Sequence, residues 1–137
     1  GMGNTVTGNN AFTSGTGNTV AGNNNIAFGN GVSVGGINSL GLGSANSVGG
    51  ANNLVSGDAN NVQGNRASVS GTRNQVSGND NVVTGADNNV VGSGVLAVGT
   101  GNTTQNAATN SVVSGERNST NSRNSLVGGN QNAIGYG

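Results

Sequence analysis

The sequence predicts an all-β parallel solenoid, or β-roll, in which short strands stack as coils of about 14 residues. Three observations support this fold class. Glycine recurs every seven residues without interruption, at positions 1, 8, 15, 22, 29, 36, 43, 50, 57, 64, 71, 78, 85, 92 and 99. Within each heptad, counted from its glycine, the sixth position is mostly valine and the fourth is mostly asparagine or a small residue. The fifth position alternates between apolar and polar residues in successive heptads, so the true repeat is two heptads.

The glycine period decides between order and disorder. With 28 glycines among 137 residues and no proline, cysteine or histidine, the composition alone is typical of a low-complexity chain. Glycines in strict register indicate regular turns instead. A helical coiled coil also repeats every seven residues, but one glycine per heptad would destabilise its helices by about 1 kcal/mol each. Valine and threonine between glycine turns favour short strands.

The alternation of side chains along a strand assigns the inner and outer positions. Positions four and six lie two residues apart and share one face, so the valines and asparagines are expected to fill a thin core. Each strand then pairs in parallel with its copy 14 residues on, about 4.8 Å away. The buried asparagine amides are expected to hydrogen-bond to one another up the stack.

Position five points outward, and in alternate heptads it forms an apolar column. The column consists of Phe12, Ile26, Leu40, Leu54, Val82, Leu96, Val112 and Leu126, with Ser68 as its one polar member. A monomer would expose this column to water, which soluble proteins rarely tolerate over a large area. We therefore expect copies of the chain to associate through it. The predicted interface also includes the apolar residues two positions further along, which are Phe28, Leu42 and Val98.

Two further features concern the register of the stack. Arg66 and Asp80 occupy the same position one coil apart, as do Arg73 and Asp87, so exposed ion pairs are expected at the turns. After Gly99 the period slips by two residues and then resumes. The least disruptive solution is an outward turn that leaves the strands in register, so Asn106, Ala107, Ala108 and Thr109 are expected to protrude.

Composition argues against several classes of function. The net charge is zero and aromatic residues are few, so a nucleic-acid surface is not expected. General acid–base and nucleophilic catalysis lack histidine and cysteine, and no phosphate-binding glycine motif is present. We therefore expect no enzyme, no catalytic residues, no cofactor and no metal site. No apolar run is long enough to span a membrane.

Several of the apolar heptads resemble a known family. The runs Asn38 to Gly43, Asn110 to Gly115 and Asn124 to Gly129 look like the N-S-V-A-I-G core of the head repeats in trimeric autotransporter adhesins, the Yersinia-adhesin-like heads of Gram-negative bacteria. The resemblance covers nearly the whole chain. The last apolar residue of the motif is kept only at Phe28, Leu42 and Val98.

The resemblance implies a left-handed β-roll, a homotrimer, and the apolar column on its axis. It also implies that residues 1–137 are one head-repeat domain, a fragment of a longer virulence protein that reaches the bacterial surface and is anchored in the outer membrane by a region outside the fragment. The expected function is attachment, including hemagglutination, with a host matrix protein or cell-surface molecule as partner. This segment itself is expected to bind no nucleic acid and to enter no membrane.

Three other functions are compatible with stacked coils in general, and the sequence disfavours two of them. A purely structural spacer or fibre segment of a surface or phage appendage has the same physical pattern. A calcium-binding roll is disfavoured because its repeats need an aspartate in every coil, and the chain has three. An ice-binding solenoid is disfavoured because the polar outward column starts with Thr5 and Thr19 but changes to serine, asparagine and glutamine.

Overall fold

The computed structural model describes residues 1–135, and within them two parallel sheets face each other across a narrow core. The odd sheet consists of β1 (Thr5–Val6), β3 (Thr19–Val20), β5 (Ser33–Val34), β7 (Ser47–Gly49), β9 (Asn61–Asn65), β11 (Gln75–Asn79), β13 (Asn89–Val91), β15 (Thr103–Thr104), β17 (Ser119–Thr120) and β19 (Ala133–Ile134). The even sheet consists of β2 (Phe12–Thr16), β4 (Ile26–Asn30), β6 (Leu40–Ser44), β8 (Leu54–Asp58), β10 (Ser68–Thr72), β12 (Val82–Ala86), β14 (Leu96–Thr100), β16 (Val112–Glu116) and β18 (Leu126–Asn130).

The predicted solenoid is confirmed at the level of coils and register. Each strand pairs in parallel with the strand two further along the chain, and partners such as Val69 and Val83 lie 14 residues apart. The chain thus makes about nine coils of roughly 14 residues. The described residues contain no helix, and therefore none that could cross a membrane. The hand of the coils and the homotrimer remain predictions.

Valine fills the core as the sequence predicts. The sixth-position valines from Val20 to Val127 are almost completely buried, while Val6 in the first coil is 46% exposed because no coil covers it. One coil shows how closely the interior is filled. Val32 replaces the usual asparagine, and across from it Gly41 replaces the usual valine. A Cβ at Gly41 would lie only 2.8 Å from side-chain atoms of Val32 and Val34.

The buried asparagines join coils through backbone groups more than through each other. Asn74 Oδ1 accepts the backbone N–H of Asn88 at 3.1 Å, and Asn74 Nδ2 donates to the carbonyl oxygen of Gly85 at 2.9 Å. The same two contacts recur at Asn18, whose amide binds the backbone of Val32 and of Gly29. Contacts between two asparagine side chains also occur, but they supplement this pattern. The expected column of hydrogen-bonded asparagines, the asparagine ladder, is therefore present. The principal partner of its amides is the backbone of the next coil and not another asparagine side chain.

The glycine column allows the coils to stack at the spacing of a sheet. Gly71 has a φ of +121°, and a Cβ added there would lie 1.9 Å from the carbonyl oxygen of Gly85 in the next coil. Such a contact is impossible, so an L-residue at this position would push the coils apart. Two residues later each turn contains a second residue in the left-handed region, for example Arg73 with a φ of +53°.

The two extra residues after Gly99 are absorbed in one turn. Leu96 pairs with Val112 and Thr103 pairs with Ser119, so both sheets keep their register across a coil of 16 residues. The longer segment lies between β15 and β16, where the backbone N–H of Ala108 donates to the carbonyl oxygen of Gln105 at 2.7 Å. Register is therefore preserved as predicted.

Replacing Asn74 with leucine should destabilise the rod by about 3 kcal/mol, because a buried N–H and a buried carbonyl lose their partner. Urea denaturation followed by circular dichroism would measure the loss. Asn61→Leu is the matched control, since Asn61 is exposed on the same sheet and should change stability by no more than about 0.5 kcal/mol. Equal effects at both positions would contradict the structural role of the ladder.

Gly71→Ala should be far more damaging than Gly31→Ala. Both glycines have positive φ, but nothing lies within 4 Å of a Cβ built on Gly31. The Gly31 variant should therefore show only the left-handed backbone penalty, about 1–2 kcal/mol. The Gly71 variant should add the collision with Gly85, which thermal melting would reveal as a much larger drop in Tm. Similar melting temperatures for the two variants would argue against close stacking at the glycine column.

Candidate functional site

The outer face of the even sheet carries two parallel ranks of side chains. The first rank is the apolar column with Ser68 included, because the residues from Phe12 to Leu126 pair one above the other from coil to coil. The second rank, two residues further along each strand, consists of Ser14, Phe28, Leu42, Ser56, Ser70, Thr84, Val98, Ser114 and Gly128. The structure thus brings every residue of the predicted interface to one face.

Much of this face is open in the single chain. Leu54 is 46% exposed, Val82 45% and Leu126 77%, whereas Leu40 and Val112 are half-buried between their neighbours. Neither rank contains a charged or amide side chain over the described strands, only apolar residues, serine, threonine and glycine. Ser70 and Thr84 hydrogen-bond to each other through their hydroxyls at 3.3 Å.

Rigid backbone pairing sets the spacing of the ranks. Neighbouring residues within a rank are one strand apart, about 4.8 Å, and the two ranks are two residues apart, about 6.6 Å. From β8 to β16 the second rank consists of serine, threonine and valine. Near the first coils the face is bulkier, since the rings of Phe12 and Phe28 stand 5.3 Å apart between centroids.

The outer face of the odd sheet has a different chemistry. Its early strands carry threonine, serine, alanine and glycine, but from β9 onward long amides appear at Asn61, Gln63, Gln75, Asn89 and Gln105. Two adjoining hollows of about 130 and 360 Å³ lie among them.

Ion pairs connect successive turns on both edges of the roll. Arg66 Nε lies 2.6 Å from Asp80 Oδ1, and Arg73 Nε lies 2.7 Å from Asp87 Oδ1, each with a second contact at 2.8 Å between Nη2 and Oδ2. The hydrogen bonds from these guanidinium groups hold the pKa of Asp80 and of Asp87 below the usual value. The charge pairs predicted from the sequence are therefore confirmed.

The expected protruding turn is only partly at the surface. Asn106 is exposed, Ala107 and Thr109 are half-buried, and Ala108 is fully buried. Ala108 occupies the glycine column, because its carbonyl oxygen faces Gly92 as a glycine carbonyl does elsewhere. The outward part of the turn therefore includes Gln105 and Asn106 and excludes Ala108.

A known family shares this repeat. The family model described as the grass antifreeze beta roll matches residues 5–99, which is more than half of the chain. The chain belongs to this family. No curated protein matches it in sequence.

Membership of the antifreeze beta roll family overturns the adhesin interpretation. The resemblance to trimeric autotransporter heads was wrong, and so were the functions it implied, which were host attachment, virulence and hemagglutination. The physical reason is that glycine turns, an inward valine and an outward apolar residue describe a two-stranded parallel coil in general. A run such as Asn110 to Gly115 satisfies those demands in either family.

Sequence reasoning gave too little weight to the second rank. Ser56, Ser70, Thr84 and Ser114 stand where the adhesin motif has its last apolar residue, and they continue the outer face. The signal was the absence of charged and amide residues from the first and third positions of the even strands, whereas the fifth position includes Asp58 and Glu116. Among residues 1–135, no three histidine, cysteine, aspartate or glutamate side chains gather into a metal site.

Stability should be constant from neutral pH down to about pH 4 and should fall at lower pH. The folded-state pKa values of Asp80 and Asp87 are below the ordinary value of 3.8, so these pairs contribute above that value and are lost as the pH drops through the folded pKa. Melting temperatures between pH 7 and pH 2 would measure the change. Arg66→Ala together with Arg73→Ala should reduce the pH dependence below pH 4, and an unchanged profile would rule out these pairs as its origin.

Proposed function

We propose that this protein binds ice, and that the outer face of the even sheet is the surface that contacts the crystal. The single observation that carries the proposal is the pair of regular ranks of apolar and hydroxyl side chains, free of charge, on a rigid sheet. Membership of the grass antifreeze beta roll family supports the same function.

The chemistry of the face suits an ice surface. Methyl and methylene groups disturb neighbouring water little and favour an ordered layer around themselves. Hydroxyl groups such as those of Ser56 and Thr84 donate and accept hydrogen bonds and can anchor that layer. Charged side chains would orient water around themselves in a pattern that ice does not share, and both ranks lack them.

The geometry contributes as much as the chemistry. A crystal plane is flat and repeats at fixed distances, so a complementary protein surface must also be flat and regular. The strand spacing of about 4.8 Å fixes the interval within a rank without any flexible linker. Short side chains on a backbone already ordered by folding lose little further conformational entropy on contact.

Many weak contacts along a rod make adsorption persistent. Each coil adds the same small contribution, and all coils must detach together for the molecule to leave. A molecule held in this way blocks the transfer of water between neighbouring crystals, which is recrystallisation. We therefore expect inhibition of ice recrystallisation as the measurable activity.

Self-association is the competing use of the same face. The homotrimer predicted from the apolar column would bury Leu54, Val82 and Leu96 and leave little of either rank for ice. Light scattering on the purified chain distinguishes the two uses, because the ice-binding proposal requires a species with this face uncovered, as in a monomer. A stable trimer whose dissociation raises ice activity would show that both uses compete.

Val82→Tyr should abolish most of the inhibition of recrystallisation, because a large ring in the middle of the first rank holds the neighbouring coils away from a flat crystal. The concentration needed to keep ice grains small during annealing should rise by about tenfold or more, equivalent to about 1.4 kcal/mol. Ser47→Tyr is the control, since Ser47 has the equivalent position on the odd sheet. A loss of activity in the Ser47 variant but not in the Val82 variant would place ice on the other face.

A further inference from the structure

We propose that the amide-lined hollows on the odd sheet form one groove that binds a linear neutral polysaccharide along the rod. The two hollows share Asn89 and Val91 and together extend over β9, β11, β13 and β15. At a strand spacing of about 4.8 Å, four strands give a length of about 14 Å, enough for a short run of sugar rings.

Both ends of this groove are defined by side chains. At one end the Gln63 side chain lies over Gly49, where an added Cβ would overlap its amide group. At the other end stands the enlarged turn with Gln105 and Asn106, which line the larger hollow. The two-residue insertion after Gly99 therefore shapes the groove.

The lining has unused hydrogen-bonding capacity. Six amides border the groove, namely Asn61, Gln63, Gln75, Asn89, Gln105 and Asn106. Within residues 1–135, the one hydrogen bond that these side chains make to the protein runs from Gln63 Nε2 to Asn61 Oδ1 at 3.1 Å. An amide offers two donors and an acceptor, which matches the hydroxyl groups of a sugar, since each of these both donates and accepts.

The distribution of charge in and around the groove favours a neutral ligand. The groove contains no ionisable side chain, and the nearest turns on its two edges carry Arg66–Asp80 and Arg73–Asp87, in which the charges cancel. A polyanion such as an acidic polysaccharide would find no uncompensated cation here. A neutral chain that presents hydroxyls along its length meets no such penalty.

This groove is distinct from the proposed ice-binding face. The two sheets enclose the core between them, so their outer faces point in opposite directions and both surfaces are accessible at once. A recess lined by long amides is also a poor match for a flat crystal. The rod would thus be held on a polysaccharide through one face while the other remains free for ice.

Titration calorimetry with cellohexaose and xylohexaose tests the proposal, with an oligomer of galacturonic acid as the acidic comparison. We expect saturable binding of at least one neutral oligosaccharide with a Kd below about 1 mM, and weaker binding of the acidic one. Gln75→Leu and Asn89→Leu should each weaken binding by about tenfold or more. Ser33→Leu, in the same outward column but outside the groove, should leave binding unchanged, and circular dichroism confirms that each variant is folded.

Several outcomes would overturn the groove as a polysaccharide site. These are no saturable binding of either neutral oligosaccharide, equal affinity in the folded Gln75→Leu variant, tighter binding of the acidic oligomer, or a dimer in light scattering that Gln75→Leu dissociates. Inhibition of ice recrystallisation is the independent readout. It should survive Gln75→Leu, and sugar binding should survive Val82→Tyr, so failure of one proposal is distinguishable from failure of the other.

Discussion

The hydrogen bonding of the buried asparagine, which most heptads contain, is the interaction on which the rest of the structure depends. A roll only two strands wide has a core one or two side chains thick, so hydrophobic burial by itself is limited. The asparagine amide compensates by bonding to the backbone of two neighbouring turns, as Asn74 does with Asn88 and Gly85. These bonds satisfy groups that the tight turns would otherwise leave buried without a partner. The outer face of the even sheet remains flat because the turns between the sheets are fixed in this way.

The residues at the outer positions can vary because other residues determine the fold. Since valine, asparagine and glycine determine the coil, the two outward positions of each strand have little influence on folding. The even strands use them for apolar and hydroxyl groups, and the odd strands β9, β11 and β13 carry amides at several of them. One backbone therefore supports two surfaces of different chemistry, which is the basis of both functional proposals.

Much of the fold could be predicted from the sequence because its signals are local and repeated. Val69 and Val83 lie inside, Arg66 meets Asp80, and Leu96 pairs with Val112 across the insertion, all as the spacing indicates. Two features resisted prediction. The principal partner of the asparagine amides is the backbone, which a residue pattern does not display, and Ala108 takes a glycine position because only the three-dimensional path of the turn brings it there. The apolar column was placed correctly, yet the pattern of Leu54 and Val82 cannot specify whether protein or ice covers it.

The 16-residue coil shows that a turn can lengthen without changing the pairing of the strands. Two additional residues enter between β15 and β16, yet strands on both sides pair as if nothing had been inserted. The strands of both sheets keep their pairing because the extra backbone leaves the roll and returns at the same point. The exposed part of the enlarged turn, Gln105 and Asn106, consequently forms one end of the groove on the odd sheet. A longer turn at this place can therefore reshape or extend that end of the groove without altering the apolar and hydroxyl ranks of the even sheet.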